Sequence, residues 1–103
     1  MSRRQSWNEF LDRENVILTR LVCTEDFKSI DEFAIIYCAV KNDTVHEIIR
    51  YDCSKNEAAN VHQFFKRPPV KRYLNRDRSW NTLCELIADI RKNWMIYRAE
   101  YFR

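Results

Sequence analysis

The sequence predicts an α+β fold: a four- or five-stranded antiparallel sheet with one long C-terminal helix packed on one face and a short N-terminal helix. Three observations carry this expectation. Two strand-like runs, EFAIIYCAVK over 32–41 and TVHEIIRYDC over 44–53, flank Asn42-Asp43, a residue pair that tolerates the left-handed backbone of a tight hairpin turn. VILTRLVCT over 16–24 is dense in β-branched residues, which suit a pleated surface. From Leu83, the residues Leu86, Ile87, Ile90, Trp94, Tyr97 and Tyr101 follow at spacings of three and four, the apolar stripe of an amphipathic helix.

The elements follow in chain order. Ser6-Trp7-Asn8-Glu9 has the form of a capping box, predicting a short helix that buries Trp7, Phe10 and Leu11. A helix that short must dock on the core to persist. Val16–Thr24 is the first strand, and Glu25–Asp31 is a polar loop. Glu32–Lys41 is apolar on both faces, which marks a central strand covered by a helix. Thr44–Cys53 returns antiparallel to it. Its pleat directs His46, Ile48, Arg50 and Asp52 to one face, and Val45, Glu47, Ile49, Tyr51 and Cys53 to the other. Ser54–Glu57 turns the chain into a strand over Ala58–Lys66, which Pro68-Pro69 ends. Val70–Leu74 reads as a short edge strand, and Ser79 as the N-cap of the terminal helix.

A length of 103 residues predicts a single domain, 1–103, with one modest core. Hydrophobic residues at 46% alongside 32% charged residues argue against disorder. The chain contains no glycine, so turns that need positive φ fall to Asn or Asp, with Asn42, Asp43 and Asn56 suitably placed. Cys23, Cys38, Cys53 and Cys84 have no C-x-x-C spacing, which disfavours a structural zinc. Cys38 and Cys84 lie in apolar runs and are expected to act as small hydrophobes. Free thiols without a signal peptide predict the cytoplasm. The longest uncharged run, Phe33–Val40, is far too short for a membrane span.

The chemistry gathers around the turn after the third strand. Antiparallel pairing there can bring His62 to the face that carries Arg50 and Asp52. A histidine beside a carboxylate is held in one tautomer and can act as acid or base near neutral pH. Arg50, with Lys66 and Arg67 beyond it, could hold a phosphodiester and stabilise the charge that develops on it. The combination suits metal-independent RNA cleavage: His62 as acid or base, Asp52 orienting it, no metal and no other cofactor. His46 is either a filler or the second histidine of such a pair. The bland alternative is an Arg50–Asp52 surface pair worth less than about 1 kcal/mol, with a half-exposed His62 beside it.

Lys66, Arg67, Lys71, Arg72, Arg76 and Arg78, opposed only by Asp77, form a basic strip expected to meet nucleic acid or an acidic protein. Tyr51, Phe64, Phe65, Tyr73 and Trp80 interleave with it, for base stacking or, for most of them, core packing.

The tripeptide Arg50-Tyr51-Asp52, the histidine-bearing strand after it and the terminal helix ending in aromatics resemble the TumE family, small prokaryotic toxins of toxin–antitoxin pairs. The resemblance runs from about Val16 to the C-terminus. It implies that Arg50, Asp52 and His62 form the family's polar site and that a cognate antitoxin is the partner. Relatives tend to carry histidines in the turn after RYD, whereas Cys53-Ser54-Lys55-Asn56 has none. The likeness therefore implies a toxin-like or toxin-derived protein more directly than an active nuclease. The leading expectation is a toxin-like, RNA-directed protein, with metal-independent ribonuclease as its enzymatic form. The alternative is a non-enzymatic nucleic-acid-binding or protein-interaction module, a homodimer formed through a strand edge or through Trp94–Phe102 being one version.

Overall fold

A computed structural model describes residues 2–103. Six strands pair antiparallel in simple sequence order: β1 (Ser2–Asp12), β2 (Asn15–Thr24), β3 (Ile30–Lys41), β4 (Thr44–Cys53), β5 (Asn60–Gln63) and β6 (Val70–Tyr73). One helix, α1 (Trp80–Tyr101), lies across one face. The α+β class, the antiparallel sheet and the single terminal helix are as the sequence predicts. The N-terminal helix and the four- or five-strand count are not.

The predicted N-terminal helix is replaced by β1, an eleven-residue edge strand paired with β2 from Ser2↔Thr24 to Asp12↔Asn15. The capping box is a local signal worth about 1 kcal/mol, and it competes with a full ladder of strand hydrogen bonds along β2. Glu9, expected to reach back to Ser6, instead forms a two-pronged ion pair with Arg91 of α1, at 2.6 and 2.7 Å. The β1 strand thus gains both a sheet neighbour and a tie to the helix.

The central hairpin forms as expected. Asn42 and Asp43 both take positive φ, 54° and 60°, the backbone of a two-residue hairpin turn. Positive φ also falls on Phe27 and Asn75. Asn56 is not among these residues. The predicted strand over 58–66 contracts to Asn60–Gln63, so Lys66 lies beyond the ladder.

The core sits between α1 and one face of the sheet. Leu83, Leu86, Ile87 and Ile90 pack on Ile17, Leu21, Ile35, Tyr37, Ile49, Tyr51 and Val61, and Trp94, Tyr97 and Tyr101 complete the stripe at its edge. Ser79 caps the helix as predicted, its Oγ accepting from the Thr82 N–H at 3.1 Å. Cys23, Cys38 and Cys53 are buried, but Cys84 is exposed, because it falls off the helix stripe. Burial pushes the Cys38 thiol up, and it pushes Cys53 up to about 11. Among the described residues no helix is long and apolar enough to cross a membrane.

Candidate functional site

The face that α1 leaves uncovered carries the residues singled out in the sequence, and one irregularity decides which of them arrive there. Between β3 and β4, Tyr37 pairs with Ile49 but Cys38 pairs with Glu47, so Ile48 is an extra residue on β4, a β-bulge. Strict alternation places His46 with Arg50 and Asp52. The bulge reverses the parity beyond it, and that expectation fails. His46 turns under the end of α1, with its Nδ1 3.2 Å from the Tyr101 hydroxyl and its ring edge-on to Phe102. It is not the second histidine of an acid–base pair on the uncovered face. Glu47 takes its place there, 2.6 Å from Arg50 Nε.

On the near side of the bulge the register gathers the expected trio. Arg50 pairs with His62, and Asp52 with Asn60. Residues directly opposite in a ladder project to the same face. His62 Nε2 lies 3.5 Å from Asp52 Oδ2, and the two side chains keep 26% and 24% of their surface, enough for a ligand to reach. The imidazole stacks on Phe64, with centroids 5.8 Å apart, which holds its plane.

Asn60 is the residue that sequence reasoning missed. It is fully buried, and its Nδ2 donates to Asp52 Oδ1 at 2.8 Å. The same nitrogen lies 3.0 Å from both Glu57 Oε1 and the Ala58 carbonyl. Asn60, Asp52 and His62 therefore form a chain in which a buried amide anchors the carboxylate and the carboxylate faces the imidazole. An amide two residues before a histidine on the same strand was the only sequence signal for it.

The basic strip is largely occupied within the protein. Lys66 pairs with Glu100 at 3.4 Å, and Lys71 with Glu57 at 3.1 Å. Arg76 pairs with Glu85. Arg67 donates to the Tyr101 carbonyl at 2.8 Å, and Arg78 to the Asp31 carbonyl at 2.7 Å. Arg72 is exposed on the edge strand β6. Only Lys71, opposite His62 in the ladder, shares the face of the trio. Hydrogen bonding to Glu57 raises the Lys71 pKa, so it stays charged. Of the interleaved aromatics, Tyr51 and Phe65 are core residues, whereas Tyr73 is exposed opposite Asn60. Trp80 Nε1 donates to the Phe27 carbonyl at 2.7 Å. Among the described residues, no three His, Cys, Asp or Glu side chains gather in a metal-binding arrangement.

Comparison of the chain with protein-family models, with curated proteins and with solved structures finds no match.

Proposed function

We propose that this protein is a toxin-like, RNA-directed domain that cleaves RNA without a metal, using His62, Asp52 and Arg50 on the uncovered face of its sheet. The observation that carries the reading is the Asn60–Asp52–His62 chain beside Arg50. In this reading His62 takes the proton of a 2′-hydroxyl, and Asp52, held by Asn60, stabilises the imidazolium that results. The 2′-oxygen bonds to phosphorus, the bond to the 5′-oxygen breaks, and that oxygen takes a proton from water. Arg50 and Lys71 offset the charge on the non-bridging oxygens. The products are a 2′,3′-cyclic phosphate and a 5′-hydroxyl. The resemblance to the TumE toxins supports the same residues.

RNA degradation in EDTA by the purified protein tests this directly. His62→Ala is expected to lower the rate by about 10²–10⁴-fold, the usual range for a general acid or base. An unchanged rate removes His62 from the mechanism.

The free edge of β1 favours a second reading, a protein-interaction module whose partner is a cognate antitoxin or a second copy. Phe10 is 68% exposed on that edge strand and Trp7 38%, an apolar display that a pairing strand would cover. Light scattering that finds only monomer, with and without a candidate antitoxin, argues against it.

A further inference from the structure

The uncovered face holds a second feature, which the cleavage reading touches only at Arg50. A depression of about 500 Å³ opens across β1 to β4, with Val22, Ala34 and Ile36 as apolar lining and Arg4, Arg20 and Arg50 among its polar groups. The register explains the gathering. Arg20 lies opposite Ala34, and Ala34 opposite Asp52, so Arg20 and Asp52 flank one small residue, about 9.5 Å apart at two strand spacings. Arg4 pairs with Val22, two residues along β2 from Arg20. Three guanidiniums thus line a space whose lining carboxylate is Glu32, and of the three Arg50 is already paired with Glu47.

Arg4 and Arg20 differ from the basic strip in what they touch. Lys66, Lys71 and Arg76 each have an acidic partner, but among the described residues neither Arg4 nor Arg20 takes part in an ion pair. Arg20 is exposed on the middle of β2, a position that packing does not require to be charged. An apolar lining with the two unpaired guanidiniums of Arg4 and Arg20 suits a single nucleotide unit, its base against Val22, Ala34 and Ile36 and its phosphates on those arginines.

We propose that this depression seats the nucleotide next to the scissile phosphate of single-stranded RNA. Arg4 and Arg20 hold its phosphate groups, and Arg50 serves both this subsite and the His62–Asp52 pair. The assignment rests on the cleavage reading for its orientation, although the binding step stands apart from catalysis.

The test is equilibrium binding of a fluorescent tetraribonucleotide whose 2′-positions are O-methylated, which removes the nucleophile and separates binding from cleavage. Arg4→Ala/Arg20→Ala is expected to weaken binding about tenfold. It should also flatten the log–log salt dependence by about 1.4, the loss of two single-strand phosphate contacts. Arg20→Lys, which keeps the charge, should retain the wild-type slope. An affinity and slope equal to wild type in the double variant overturn the subsite. Adenosine monophosphate binding as tightly as the tetranucleotide assigns the depression to a free nucleotide and overturns the strand. If RNA cleavage survives His62→Ala while the double variant loses binding, the cleavage reading falls and the nucleotide subsite stands. If cleavage depends on His62 but binding ignores Arg4 and Arg20, only the subsite falls.

Discussion

On the sheet-facing side of α1, Asp89 accepts hydrogen bonds from the hydroxyls of Tyr51 on β4 at 2.6 Å and Tyr97 at 2.8 Å and from the Asn93 amide at 2.9 Å, so its oxygens are filled from within the protein. On the opposite face of the same sheet, Arg4 and Arg20 have no acidic partner among the described residues, and His62 stands 3.5 Å from Asp52 with its side chain partly open to solvent. Tyr51 and Asp52 are adjacent in sequence and belong to these two different environments. Tyr51 is buried beneath α1, and a hydroxyl there must be satisfied internally, so its bond to Asp89 contributes to stability. On the other side Asn60 is buried too, but Arg20 is exposed and His62 and Asp52 are partly so, and a ligand can replace the water on them at little cost. The internally paired groups beneath α1 hold the fold, and the partly exposed side chains on the uncovered face, with Asp52 anchored from within by Asn60, are available for function.

Substitutions on the two faces should therefore differ in size. The largest loss is expected for Ile90→Ala, because Ile90 is fully buried between α1 and the sheet. Urea unfolding should register about 2–5 kcal/mol. A loss below that range would mean the covered face is not the core.

Next comes Tyr51→Phe, which leaves Asp89 one donor short and should cost about 1–3 kcal/mol. The same residues set an alkaline limit. Burial, with Asp89 adding to it, pushes Tyr51 well above the ordinary tyrosine value and Tyr97 up to about 12. Above the unfolded value of about 10 the unfolded chain loses protons that the folded one keeps, so stability falls as pH rises. Their contribution is therefore complete below about pH 10 and declines between pH 10 and 12. Unfolding midpoints measured across that window should fall for the wild type and fall less steeply for Tyr51→Phe.

His62→Ala should change stability by less than about 1 kcal/mol, since it removes one partly exposed ion pair. Arg20→Ala should stay within about 0.5 kcal/mol, the level of an unpaired surface position. A loss at Arg20 comparable with that at Tyr51 would erase the distinction between the faces and give the uncovered one a structural role.

Much of this arrangement is legible in the residues themselves. The β3–β4 hairpin follows from Asn42-Asp43 between two alternating runs, and α1 from its stripe and the Ser79 cap, because each signal is local and nothing competes with it. The convergence of Arg50, Asp52 and His62 follows from antiparallel pairing across a short turn. The Ser6–Glu9 box misleads because the ladder along β2 outweighs it, and that ladder is invisible to a local window. Charge counts over 66–78 likewise overstate the free basicity of the strip, since Glu57, Glu85 and Glu100 approach it only once the chain is folded.

By itself the sequence determined a sheet with one helix laid across it and a polar trio near the turn after β4, because periodicity and turn chemistry act between near neighbours. Only the tertiary structure decided that β1 is a strand, that the bulge at Ile48 sends His46 beneath the helix, that Asn60 anchors Asp52, and that Arg4 and Arg20 meet Arg50 around one depression. Each of these depends on which strand lies beside which and in what register. A change of one residue in register moves a side chain to the other face of the sheet, and that choice is made by the packing of the whole.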